Sequence, residues 1–210
     1  MKLVGILQIK SYDKIIDFLH QEHVGRIASI DANGFPQIIP MNFVFLNDAI
    51  YMHSHVKGEK LDNISQNNKV GFEVDRELEF LPSYFSDPHD ASLADTLYIS
   101  VVIKGLGSFV SDREEKTLAL NGLMEKYQPE GQYDPIKPDM QVLDAVSVIK
   151  VVPQTLHGKY KIGQNMNREE RMDLAQKILK RNSQSAKQTL KIMGFEITDD
   201  GLKMIDEPVW

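Results

Sequence analysis

Residues 51–72 read YMHSHVKGEKLDNISQNNKVGF, and the order of elements in that stretch decides the fold. A β-prone run at 51–55 meets the breaker Lys57-Gly58, a short helical pattern follows, and β-prone residues return from Lys69. A strand therefore feeds a short basic helix through a polar, glycine-bearing turn. Such a junction suits an anion, because the first amides of a helix carry unpaired N–H groups at the positive end of the helix dipole. Lys57 and Lys60 add two compact cations there, and Gly58 permits close approach of the backbone.

Outward from this junction, residues 24–31 and 36–45 are β-prone runs separated by Asn33-Gly34, which predicts a two-residue type I′ hairpin. Leu46-Asn47-Asp48 turns the chain again into the strand at 49–55. Residues 11–20 place Ile15, Ile16, Phe18 and Leu19 at helical spacing behind Ser11 or Asp13 as a cap. Three hairpin-linked strands, a brief helix and a fourth strand at 69–74 predict a closed antiparallel sheet.

The second half repeats the theme. Residues 76–95 hold two prolines and little periodicity, the mark of a long loop. Residues 97–110 form a long β-branched strand with glycines where a barrel strand bends. Asp112 opens a helix with a stripe of Leu118, Leu120, Leu123, Met124 and Tyr127. The last predicted strand covers 145–152 and stops at Pro153. Residues 167–191 carry seven basic residues against three acidic ones on two predicted helices, with Met172, Ala175, Ile178 and Leu179 as a docking face.

Composition narrows the chemistry. The 210 residues suffice for one large domain with an appendage, and 42% hydrophobic residues supply a core. With no cysteine, disulfides, thiolate nucleophiles and Cys-ligated metals are excluded, so redox chemistry must come from a bound cofactor. The net charge of −6 disfavours a surface coated by nucleic acid. No apolar run is long enough to span a membrane and the N-terminus lacks a cleavable leader, so a cytoplasmic location is expected. His53, His55 and His89 lack diagnostic ligand spacing, so no metal site is expected.

The ordered segments GRIAS, NGFP, YMHSHVKGEKLDNI, NKVGFEV, YISVVIKG and DREEK resemble the FMN-binding split-barrel proteins related to pyridoxamine 5′-phosphate oxidase. The likeness runs over about residues 24–159 and is nearest to the flavoprotein branch that holds the nitroimidazole-resistance proteins. It implies an α+β, mainly β fold: a six-stranded antiparallel split β-barrel over 1–160 with flanking helices, and a helical extension over 161–210 packed on it. It also implies FMN in two clefts of a homodimer, with the deazaflavin F420 as the alternative.

Carried onto this chain, the resemblance lays the flavin ring along Ile39, Met41, Asn42 and Phe43, and brings His53 and Ser54 to the ribityl-phosphate region. Lys60 would hold the phosphate with Lys57, while Ser100 and Lys159 complete the set of expected cofactor residues. Glu59 departs from the pattern, since relatives place a basic residue there. The arginine- and tryptophan-bearing segment that completes the pyridoxamine phosphate oxidase site is not evident, so vitamin B6 oxidation is not inferred. Residues 158–165, GKYKIGQN, resemble a segment of PaiB-type FMN-binding regulators. Three functions follow: an oxidoreductase passing electrons from reduced nicotinamide to a small acceptor, a flavin-binding module without turnover, or a regulator whose basic helices meet nucleic acid.

Overall fold

Backbone polar groups must find partners wherever the chain is buried, and here an eight-stranded sheet, a two-stranded sheet and five helices supply them. The computed structural model describes residues 5–208; the ends of the two expected domains, residues 1–4 and 209–210, lie outside the described residues. In chain order the elements are β1 (Gln8–Ile9), α1 (Tyr12–Gln21), β2 (Val24–Ile30), β3 (Pro36–Asn42), β4 (Val44–Leu46), β5 (Ala49–His55), α2 (Glu59–Gln66) and β6 (Lys69–Leu81). There follow β7 (Asp95–Phe109), α3 (Arg113–Tyr127), β8 (Val146–Lys161), α4 (Arg168–Arg181), α5 (Ala186–Ile192), β9 (Phe195–Thr198) and β10 (Gly201–Met204).

The sheet runs β3-β2-β6-β7-β8-β5-β4, with β1 added against β8. Six strands were expected in a closed sheet; the path has seven and its hydrogen-bonded order ends at β3 and β4. The extra strand comes from Phe43, which interrupts the run expected at 36–45. Its N–H donates to the Tyr127 hydroxyl at 2.8 Å instead of to a neighbouring strand. The same hydroxyl reaches the carbonyls of His23 and Phe43.

Other boundaries also move. The first hairpin is a three-residue loop: Gly34 N–H donates to Asp31 O, Asp31 N–H to Phe35 O, and only Gly34 takes positive φ, at 87°. Asp31 Oδ1 accepts from the amides of Asn33 and Phe35, and so fixes a type I turn followed by a left-handed glycine rather than the type I′ turn expected. β6 continues past residue 74 to Leu81, which leaves only 82–94 as a connection with two 3-10 turns. β8 likewise runs through Pro153. Its register with β5 ends at Val151, so beyond that point a residue without N–H breaks no β5 pairing.

The chain divides into two compact units. One comprises residues 13–74 and 101–157. Its core beneath α3 gathers Val44, Ala49, Tyr51, Leu120, Leu123, Leu143 and Val148. Leu118, expected in that stripe, is exposed, and Ala119 is buried in its place. The other unit comprises residues 1–12, 75–100 and 158–210. In it α4 buries Arg171, Leu174, Ala175 and Ile178, a face turned slightly from the Met172-Leu179 stripe expected. β9 and β10 form a hairpin where only helices were expected. Among the described residues no helix is long and apolar enough to cross a membrane.

Candidate functional site

The anion-binding geometry expected at 51–66 begins with β5. Its first four residues are buried and the rest emerge, so His53 is exposed, Ser54 half-buried and His55 exposed. Tyr51 holds this strand from below. Its hydroxyl donates to Glu115 Oε1 at 2.8 Å, and Lys150 Nζ meets the same oxygen at 2.6 Å. The Lys150 ammonium, then the Tyr51 hydroxyl, hold the Glu115 carboxyl below the usual range. The link ties β5, β8 and α3 together, and nothing in the spacing of the three residues along the chain announces it.

After β5, Ser54 Oγ donates to His55 O and Lys57 N–H donates to His55 Nδ1, closing the turn. Gly58 then takes φ 149° and ψ 152°, a conformation L side chains rarely adopt. Its carbonyl accepts from the amides of Leu61 and Asp62. No side chain caps α2, so of its first four amides those of Glu59 and Lys60 are left for an anion. Lys57 is exposed and Lys60 half-buried beside them.

α2 is not the basic helix expected. Glu59 and Asp62 occupy its first turn against the single cation Lys60, so they answer the helix dipole and compete with an incoming anion. Arg26 is committed elsewhere: its Nη1 lies 3.1 Å from Glu73 Oε2, its cross-strand neighbour. What fixes α2 was missed in the sequence. Asn63 is buried, and its Nδ2 donates to Gln37 Oε1 at 3.2 Å and reaches Ser29 Oγ at 3.4 Å, binding the helix to β2 and β3.

On β3, Ile39 and Met41 are half-buried and Asn42 exposed, in register with Ile27, Gly25 and Val24. Phe43 differs. Its ring is fully buried, edge-on to Phe72 at 5.1 Å, with Lys126 Nζ 3.8 Å from its centroid. Both its main-chain groups engage Tyr127, so it anchors the end of β3 and has no N–H left for a ligand.

Ser100 and Lys159 belong to the other unit. Ser100 shares the half-buried face of β7 with Tyr98, and Lys159 Nζ lies 5.1 Å from the Tyr98 ring centroid. In the GKYKIGQN segment, Gln164 closes a turn: it accepts from Ile162 N–H and donates to the carbonyls of Tyr160 and Ile6. Among the described residues no three His, Cys, Asp or Glu side chains converge as metal ligands.

The sequence profile of the family described as pyridoxamine 5′-phosphate oxidase matches residues 11–160. A search of curated protein sequences finds no significant match. Among solved structures, a Bacteroides thetaiotaomicron protein provisionally named as a 5-nitroimidazole antibiotic resistance protein is similar at 25% identity and TM-score 0.62. The match covers 73% of this chain and 86% of that one. An FAD and heme binding protein from Mycobacterium smegmatis is 15% identical with TM-score 0.63, over 80% and 79% of the two chains. The flavocytochrome Anf3 from Azotobacter vinelandii is 15% identical with TM-score 0.64, over 77% and 72%. These likenesses share the α+β split-barrel fold with this chain.

Proposed function

The chain belongs to the pyridoxamine 5′-phosphate oxidase family, and from that premise we propose that it is an FMN-binding oxidoreductase working as a homodimer. The observation that carries this reading is the uncapped start of α2, delivered by β5 and flanked by Lys57 and Lys60. Its chemistry fits the terminal phosphate of FMN: two uncapped amides, two cations and a glycine in a conformation L side chains rarely adopt. Lys60 grips the phosphate, Lys57 compensates for Glu59, and His53 and Ser54 address the ribityl chain. Ile39, Met41 and Asn42 present the backbone of β3 to the ring. When bound, the flavin supplies hydride and electron transfer; the protein supplies orientation and exclusion of water. Reduced nicotinamide as donor and a small nitroaromatic or quinone as acceptor complete the proposal.

Titration of the purified protein with FMN and with riboflavin tests it. FMN should bind and quench, and Lys60→Ala should weaken FMN by about 1–3 kcal/mol, the range for hydrogen bonds to charged groups, while leaving riboflavin unchanged. Equal losses for both ligands would remove Lys60 from the phosphate. A protein that takes up neither, or only F420, would sink the FMN reading. With FMN bound, bleaching of the flavin band on addition of reduced nicotinamide distinguishes an enzyme from an inert carrier.

A further inference from the structure

A second site lies outside the family match except for Tyr160 at its last position, in the unit containing both described termini. A cavity of about 210 Å³ is lined by residues that include Ile6, Lys10, Met166, Arg171, Glu207 and Pro208. Arg171 stands out. Only 3% of its side chain is exposed, yet its guanidinium is incompletely satisfied. Nη1 meets Glu207 Oε2 at 2.8 Å, Nη2 faces only the Met204 thioether at 3.0 Å, and Nε has no partner. Nε and Nη2 form the edge of a guanidinium that takes a carboxylate side-on through two N–H groups. Here that edge holds one weak sulfur acceptor and one buried, unpartnered donor.

From this unspent edge we infer that the cavity binds a small monocarboxylate. Lys10 and Arg171 against Glu207 leave the lining with one net positive charge, which matches a monoanion better than a phosphate dianion. Ile6, Met166 and Pro208 offer apolar surface to a short carbon chain. The volume is below the roughly 300–1,000 Å³ of sites for drug-sized ligands, which points to an acid of a few carbons. Glu207 fixes Nη1, which leaves the opposite edge of the guanidinium for the ligand. The site uses none of the residues proposed for FMN, so it stands or falls separately.

The Nε–Hε resonance of Arg171 reads the site directly in ¹⁵N-labelled full-length protein. Titration with sodium propionate should shift it saturably, while sodium chloride at matched ionic strength should not. Lys10→Gln, a change at an exposed position, should weaken propionate about two- to fivefold, the range of an exposed ion pair. Sodium phosphate should bind more weakly than propionate. A resonance that does not move, a shift equal to that in chloride, propionate binding unaffected by Lys10→Gln, or phosphate binding as tight as propionate would each overturn the assignment. Arg171→Lys, if it folds, should abolish the saturable response. If it does not fold, the wild-type and Lys10→Gln titrations decide alone.

Discussion

Tyr127 and Lys126 act next to each other on α3 and in opposite electrostatic senses. The Tyr127 hydroxyl takes the Phe43 N–H that leaves the sheet, and so sets where β3 ends. Tyr127→Phe strands that buried amide and should cost about 1–3 kcal/mol in urea unfolding; an unchanged midpoint would show that Phe43 finds another partner. Lys126 donates to Leu19 O at 2.9 Å and lies against the Phe43 ring. Burial is the dominant influence on it and brings its pKa down from 10.5 to about 8, while Glu22 pulls upward. The native pKa lies below the unfolded one. Between pH 8 and 10.5 the unfolded chain therefore binds more protons, and this lysine's penalty fades as pH rises through that window. Wild-type stability should gain on that of Lys126→Met from pH 8 to 10.5. Parallel curves would mean the ammonium pays no burial cost. Tyr51 and Tyr127, both with pKa raised chiefly by burial, titrate above 10.0 and are common to both proteins, so the difference isolates Lys126.

Among the elements, β6 and α4 show how charge that looks like a surface feature becomes internal. Glu79, on the part of β6 that sequence reading assigned to a loop, has a side chain only 1% exposed. Arg181 Nη1 meets it at 2.9 Å, and Ser183 and Ser185 donate to its other oxygen. Arg181→Ala leaves a buried carboxylate held by two serines. The loss should be about 3 kcal/mol in urea unfolding, near the lower end for a broken buried pair because those donors remain. A loss under about 1 kcal/mol would mean water reaches Glu79. Arg171 meets the exposed Glu207 through Nη1, and Lys177 Nζ meets Asp173 and the Phe85 carbonyl, so with Arg181 three of the seven basic residues that suggested a nucleic-acid face are engaged within the chain. Local signals were legible: Asp112, where a helix was expected to open, caps α3 through Glu115 N–H, and Asn167, at the head of the expected basic segment, caps α4 through Glu170 N–H. Signals needing a distant partner were not. β6 continues because Glu79 is answered by residues a hundred positions on, and β3 stops at a hydroxyl from α3. At the site, Lys57-Gly58-Lys60 was readable as a junction, whereas Asn63 anchoring α2 and the consumption of Phe43's amide depend on pairings that no periodicity encodes.

For the molecule as a whole, the exposed side chains bear on assembly. Val24, Ile30, Phe35 and Ile38 are all exposed on or beside β2 and β3, with Phe35 at 69% and Ile38 at 62%. Large apolar side chains gathered on one strand pair are the usual mark of an interaction surface. β3 also ends the sheet, but Pro36 and Pro40 carry no N–H, which discourages strand addition at that edge. A partner is therefore better received on the face of the strands than along their edge, and the same strand offers Ile39 and Met41 to the proposed flavin. If a second copy covers this face, assembly and cofactor affinity must be coupled, because ligand binding to the dimer alone stabilises the dimer. Sedimentation should give twice the 23.9 kDa of one chain in the presence of FMN. Ile38→Arg should shift the protein toward monomer and weaken FMN together, while far-UV circular dichroism stays unchanged. A flavin-loaded monomer, or an Ile38→Arg protein that loses the dimer yet keeps its FMN affinity, would show that one chain holds the cofactor without its partner.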